Sequence, residues 1–228
     1  MARQYDQKCI MKKIKDAAAN IDNFYTGEFI NYRGKTSDTG EYYTEIVAEW
    51  CCANLNSLKK ITKITRKACY KVESHDGIPK NMDSNRKEEL IAMAMFRQKE
   101  LPLIGKIEDY QTPLNNGKND HAGKIDLLAY DGKTLRILEL KEPDSKETML
   151  RCVLEGYTYL RTVDHEKLLK NFKVPLDTEI VACPFVYLGG EQYKEMQEDR
   201  PWLYKLMQLL NSKPYYYQKD ENGYTVTE

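Results

Sequence analysis

The stretch GKIDLLAYDGKTLRILELKEP, Gly123 to Pro143, decides how the rest of the chain is read. Two apolar runs flank an Asp131-Gly132 pair, a strong short-range signal for a β-hairpin. Yet Asp126, Glu139 and Lys141 sit inside runs where a sheet usually takes Val or Leu. Side chains alternate across a strand, so Glu139 and Lys141 share a face with Ile137, and Leu138 and Leu140 face the other way, toward helices. A two-residue turn at Asp131-Gly132 sets Asp126 opposite Ile137 and Lys124 opposite Glu139. Asp126 and Glu139 are then diagonal neighbours on one face, roughly 7 Å apart along the backbone.

Two carboxylates held this way repel unless positive charge lies between them. Hard oxygen ligands with room for water suit Mg²⁺ or Mn²⁺. Such a cation polarises a phosphoryl oxygen and acidifies a bound water, and Lys141 beside it can steady developing negative charge. Hydrolysis of a phosphodiester is the chemistry implied. The competing reading is an edge hairpin whose charges lie on a solvated face. The remaining strand positions are apolar on both faces, which favours a central hairpin.

Outward from the hairpin, apolar spacing predicts helices over residues 5–25 and 41–57. The run LKKITKITRKACYK at 58–71 carries Lys59, Lys60, Lys63, Arg66, Lys67 and Lys71 with no acid. It reads either as a helix contacting phosphates or as a solvated face. Asn85 is placed as the N-cap of a helix running to about Lys99, with Glu88 completing a capping box. DYQTPLNNGKNDHAG, residues 109–123, reads as a loop, with His121 either meeting substrate near the metal or, as preferred, lying as a surface-loop histidine. Asp144 or Ser145 is expected to cap the next helix, KETMLRCVLEGYTYLRTV. A strand is predicted at 178–188, and helices at 191–199 and 201–211, the latter with Pro201 in its first turn. The tyrosine-rich tail adds a last strand. His75 and His165 show no partner in the sequence.

The 228 residues are 41% apolar, enough for one domain with a substantial core, and 35 basic residues balance 35 acidic ones. Net charge therefore names no partner. The six cysteines form no CxxC pair, so zinc-ribbon and iron–sulfur spacings are missing. No apolar run approaches membrane-spanning length, and the amino terminus lacks a signal-peptide run. A cytoplasmic protein is expected.

The spacing D-x12-E-x-K resembles the active-site signature of the PD-(D/E)XK nuclease superfamily, the restriction-endonuclease-like fold. GKID (123–126) resembles the entry to its first catalytic strand and ILELK (137–141) its second. EGYTY (155–159) is similar to the Q-x-x-x-Y helix motif of the RecB-like branch, with Glu155 in place of Gln and Tyr159 in place of Tyr. NRKEELIAMAMF (85–96) resembles the glutamate-bearing helix that precedes the hairpin. The resemblance covers about residues 85–160. Ile125 stands where many members have Pro, and the cysteine cluster of the iron–sulfur members is absent.

The resemblance implies an α/β restriction-endonuclease-like sandwich: a mixed central sheet flanked by helices, with extra N-terminal helices. It divides one nuclease-like domain into an N-terminal helical extension (1–84), a catalytic core (85–190) and C-terminal helices and tail (191–228). Asp126 and Glu139 would be metal ligands and Lys141 the catalytic lysine. A glutamate from the preceding helix would join the metal shell. Glu89 shares a face with Met93 and Phe96, Glu88 with Ile91, Ala92 and Met95, so periodicity does not choose between them; Glu89 is preferred. Glu155 and Tyr159 would line the cleft, where Glu155 adds negative charge unless it pairs with Arg151. Mg²⁺ or Mn²⁺ is the implied cofactor. DNA, or else RNA, is the implied substrate, and any motor or methyltransferase would be a separate subunit. The alternative is an inactive nuclease-like module that binds nucleic acid or protein.

Overall fold

A computed structural model describes residues 4–81, 84–115 and 123–228. In order, the elements are α1 (Gln7–Ala18), two 3₁₀ turns (Ile21–Thr26 and Glu28–Asn31), α2 (Tyr43–Ala53), α3 (Leu55–Leu58), α4 (Lys87–Gln98), β1 (Glu100–Leu101) and β2 (Gly105–Pro113). Then come β3 (Lys124–Tyr130), β4 (Thr134–Lys141), α5 (Met149–Thr162), α6 (His165–Phe172), β5 (Glu179–Tyr187), α7 (Glu191–Glu195), α8 (Pro201–Leu209), β6 (Tyr215–Asp220) and β7 (Gly223–Thr227).

The seven strands form one mixed sheet in sequence order. β1 to β4 run antiparallel; β5 lies parallel to β4, β6 parallel to β5, and β7 antiparallel to β6. A parallel pair needs a long crossover. Helices α5 and α6 supply one, and α7 and α8 the next. The molecule is thus mixed α/β, as expected. Its sheet curls round α4 until the edge strands β1 and β7 touch, so it is more nearly closed than an open sandwich. Gln98, at the end of α4, bridges to β7: its Nε2 donates to the Tyr224 carbonyl and its Oε1 accepts the Tyr224 N–H, both at 2.8 Å.

Leu127, Ala129, Leu138 and Leu140 pack beneath Ala92 and Met95 of α4. Leu128, Leu135 and Ile137 face Tyr159, Leu168 and Leu169 on the opposite side. A one-residue slip of β4 would exchange these faces. Each large apolar side chain contributes roughly 1.5–3 kcal/mol by burial, so the parity of the hairpin is firmly fixed. Ile10, Ile14, Phe24, Ile46 and Val47 join Leu150 and Val153 of α5 and Leu203 and Leu206 of α8 in a third cluster. The N-terminal helices therefore brace α5. No helix among the described residues is long and apolar enough to cross a membrane.

Several local expectations are corrected. The hairpin loop is four residues, not two: Tyr130 pairs with Leu135 and Leu127 with Leu138. The Asp131 carboxylate accepts the N–H groups of Lys133 and Thr134, each at 2.9 Å, and so builds its own turn. Continued one step, this register puts Asp126 directly across from Glu139, while Lys124 pairs with Pro113 of β2. The shift is two residues, so the faces are preserved.

Helix α4 starts at Lys87 with Arg86, not Asn85, at its N-cap and no side-chain cap, and Glu88 turns to the Glu142 N–H (3.4 Å) instead of closing a capping box. Helix α5 is capped by neither Asp144 nor Ser145. Thr148 does so: its Oγ1 accepts the Arg151 N–H and donates to the Ile30 carbonyl at 2.7 Å. The predicted 5–25 helix ends at Ala18 and resumes as a 3₁₀ turn beyond Asn20. The 41–57 helix breaks at Asn54, whose amide donates to the Trp50 carbonyl at 2.8 Å.

DYQTP is strand, not loop, and forms most of β2. The tail makes two strands rather than one. The basic run is no helix beyond Leu58. Its irregular backbone is pinned by the Ile64 N–H to the Thr162 carbonyl (2.8 Å) and by the buried Tyr70, whose hydroxyl accepts the Asp164 N–H at 3.1 Å. The strand at 178–188 and the helix opened by Pro201 are found as read. His121 lies outside the described residues.

Candidate active site

Three neighbouring strands set Gln111, Asp126 and Glu139 in a row. Tyr110 pairs with Leu127 and Thr112 with Ile125, so Gln111 of β2 lies opposite Asp126 of β3. The Gln111 Nε2 donates to Asp126 Oδ1 at 2.9 Å, and the Leu140 N–H donates to Asp126 Oδ2 at 3.0 Å. Both oxygens of the first carboxylate are thus oriented from the two flanking strands.

Glu139 and Lys141 follow on β4, which is central, so the edge-hairpin reading fails: they are 3% and 5% exposed. The Lys141 ammonium lies 2.8 Å from Glu139 Oε1, 2.7 Å from Glu147 Oε2 and 3.5 Å from Glu155 Oε2. The second oxygen of Glu139 is buried and meets no N–H donor among the described residues, while the carboxyl as a whole lies within hydrogen-bond reach of Glu155.

One turn apart on α5, Glu155 and Tyr159 complete the wall. The Tyr159 hydroxyl donates to Glu155 Oε1 at 2.9 Å, and Arg151 Nε lies 3.1 Å from Glu155 Oε2. Glu155 is therefore paired with the arginine one turn before it. The guanidinium is steadied in turn by the Tyr25 carbonyl and ring of the N-terminal region.

Withdrawal from water pushes Asp126 up to about 7, with Lys141 opposing and Glu88 adding to the rise. Burial, then Glu155, holds Glu139 well above the usual carboxylate range against the pull of Lys141. Burial would lower Lys141, but Glu139 and Glu155 outweigh it and raise the lysine. Burial also favours the neutral form of Glu155, yet Lys141 and Arg151 keep it below the ordinary value.

Of the two candidate glutamates on α4, Glu88 is the one turned toward this group, and its own carboxyl is raised by burial. Glu89 lines the outer cleft and pairs with Arg86 at 3.3 Å. The cleft holds about 860 Å³ at the end of the sheet where β3 begins and β4 ends. Lys59, Lys60, Lys63, Arg66 and Lys67 do not line it. Lys63 instead pairs with Asp164 at 3.3 Å, and Arg66 bonds the carbonyls of Cys69 and Asn115.

Among the described residues no three His, Cys, Asp or Glu side chains gather tightly enough to cage a metal. Mg²⁺ does not need such a cage; one or two carboxylates, waters and substrate phosphates suffice. Asp126 and Glu139 offer that set: hard oxygens, both destabilised as anions by burial. The donor set therefore fits Mg²⁺ or Mn²⁺.

Compared with protein-family models, curated proteins and solved structures, the chain has no match. Its chemistry rests on its own residues. Sequence reading missed Gln111, because its strand was taken for a loop, and Glu147, which sits in an irregular connection. It also missed a pair between His75 and Asp109, 34 residues apart, for which no local signal exists.

Proposed function

We propose that the chain is a metal-dependent phosphodiesterase of the PD-(D/E)XK type, acting on nucleic acid, with DNA as the first substrate to test. One observation carries the reading. Asp126 on β3 and Glu139 on β4 each stand one residue beyond the Leu127–Leu138 pair, the Lys141 ammonium lies 2.8 Å from Glu139 Oε1, and burial pushes both carboxyls above their ordinary range.

Asp126 and Glu139 would hold the cation, with Glu88 close by. When bound, Mg²⁺ or Mn²⁺ would supply Lewis-acid polarisation of a phosphoryl oxygen and a more acidic water. Gln111 and the Leu140 N–H fix the orientation of the Asp126 carboxylate. Lys141, kept charged by its carboxylate neighbours, stands ready to steady charge developing on phosphate oxygens. Arg151 neutralises Glu155, so the glutamate in the RecB-like helix position need not repel the substrate. Within this reading, α4, the sheet and α5 form the three layers of a restriction-endonuclease-like core.

The test is a divalent-metal cleavage assay on single- and double-stranded DNA and RNA, with Asp126→Asn as control. Metal-dependent cleavage by the wild type and its loss in the variant are expected. Cleavage by Asp126→Asn at the wild-type rate would overturn the reading.

A second reading has its own observation: Lys141 already contacts Glu139, Glu147 and Glu155, which is how a retired lysine would be stored. The chain would then bind without turnover. Calorimetry with Mn²⁺ separates the two, since only the first requires a binding site that disappears in Asp126→Asn.

A further inference from the structure

Glu147 is the one carboxylate partner of Lys141 that neither the hairpin nor the α5 motif supplies. The ammonium lies 2.8 Å from Glu139 Oε1, on its own strand, and 2.7 Å from Glu147 Oε2, on the connection between β4 and α5. Glu155 is farther, at 3.5 Å, and is shared with Arg151 at 3.1 Å. Glu139 cannot serve a divalent cation and the ammonium equally well, because two positive charges would then crowd one buried carboxylate. Of the three contacts, the one to Glu147 is the shortest, and it does not draw on Asp126 or Glu139.

The backbone that carries Glu147 is clamped from outside the motif-bearing stretch. Arg33 Nη2 donates to the Glu147 carbonyl at 2.8 Å, and Arg33 Nε donates to the Lys146 carbonyl at 3.0 Å. The buried Gln192 donates through Nε2 to the same Glu147 carbonyl at 2.7 Å. Arg33 also pairs with Glu191 of α7 at 2.9 Å, so the N-terminal region and α7 grip the segment together. One residue on, the Thr148 N–H donates to Asn31 Oδ1 at 3.0 Å. The Thr148 side chain alone caps α5. The charged fork of Arg33 and the amide of Gln192 therefore serve a different end: they fix where Glu147 stands.

We propose that Glu147 is a positioning residue for Lys141: it retains the ammonium at the cleft when Glu139 turns to a divalent cation, and Arg33 and Gln192 hold it in place to do so. The proposal rests on the nuclease reading, which gives Glu139 and Lys141 their roles. It also gives the flanks a task. Arg33 and Gln192 lie far from the hairpin in sequence, yet both end on the residue that meets its lysine.

The test is the ammonium signal of Lys141 in ¹H–¹⁵N spectra of the full chain labelled with ¹⁵N-lysine, metal-free and saturated with Mg²⁺. The signal missing from Lys141→Arg identifies it. An ammonium enclosed by carboxylates is shielded from exchange with water and stays visible. The wild type is expected to keep the signal in Mg²⁺. Glu147→Gln should keep it without metal, through Glu139, and lose it in Mg²⁺. Arg33→Gln leaves the lysine and all its carboxylates in place and should weaken the signal in Mg²⁺ alone. In the cleavage assay Glu147→Gln should lower kcat roughly tenfold with KM little changed. A signal that survives Mg²⁺ in Glu147→Gln, or that Mg²⁺ removes from the wild type, would overturn the role of Glu147 and leave the nuclease reading standing. A wild-type chain that neither binds Mn²⁺ in calorimetry nor cleaves would remove both.

Discussion

Asp126 accepts the backbone N–H of Leu140 at 3.0 Å, so a side chain closes a rung that backbone would otherwise make between β3 and β4. The same carboxylate takes the Gln111 amide. Asp126→Ala strands both donors and is expected to cost about 1–3 kcal/mol. Asp126→Asn keeps an acceptor oxygen and should stay closer to the wild type. Urea denaturation of the two variants checks the order, and equal losses would show that the rung has no structural weight.

The raised Asp126 sets a pH dependence. The folded chain releases this proton near 7, the unfolded chain near 3.8. The folded state therefore holds the proton more tightly. The stability linked to it is full below about pH 4 and is lost as pH rises to about 7. In metal-free buffer the melting temperature of the wild type, measured relative to Asp126→Asn, should fall across that window. A difference that is flat from pH 4 to pH 7 would contradict it.

Lys141 holds the charge balance of the whole site. Lys141→Met leaves Glu139, Glu147 and Glu155 without their shared cation. Breaking such a buried arrangement is expected to cost about 3–5 kcal/mol. Adding Glu139→Gln to Lys141→Met removes the most buried of the orphaned charges and should recover part of the loss. Equilibrium unfolding of the single and double variants gives the coupling directly.

Which parts of this site were legible follows from the physics of each part. The faces of the hairpin could be read because Ile137 and Leu138 must point to different cores. The register could not, since an Asp-Gly pair suits a two-residue turn as well as the four-residue loop that Asp131 caps. β2 was hidden because Asp109 and Gln111 interrupt its apolar pattern, and each has a partner far along the chain, His75 and Asp126. Glu88 and Glu89 are neighbours on one helical turn. The contacts separate them: Glu88 meets the Glu142 N–H, and Glu89 pairs with Arg86. The place of Glu155 in a stretch that resembles a Q-x-x-x-Y motif raised the question of its charge. The structure answers with Arg151, a contact between residues one helical turn apart that spacing did suggest.

Glu155→Gln tests that answer. The substitution gives up the contacts of a carboxylate with Arg151 and Lys141 but keeps an acceptor for the Tyr159 hydroxyl. Hydrogen bonds to charged groups contribute about 1.5–3 kcal/mol, so a loss of about 2 kcal/mol is expected in thermal or urea unfolding. Under the proposed nuclease reading, cleavage should persist, because the Q-x-x-x-Y motif that this helix resembles carries Gln at this place. Complete loss of cleavage in a folded Glu155→Gln protein would make Glu155 part of the chemistry rather than of its support.

Gly123 opens the quoted stretch for a steric reason. A Cβ at this position would run into the Tyr159 hydroxyl oxygen and lie 2.8 Å from its Cζ. Gly123→Ala is therefore expected to displace the Tyr159 ring and strain its bond to Glu155. Overpacking of this kind costs about 1–3 kcal/mol. Tyr159→Phe removes the closest atom of the clash. The double variant Gly123→Ala, Tyr159→Phe should therefore lose less than the sum of the two single variants. Strict additivity in urea unfolding would show that Gly123 is needed for something other than room for that ring.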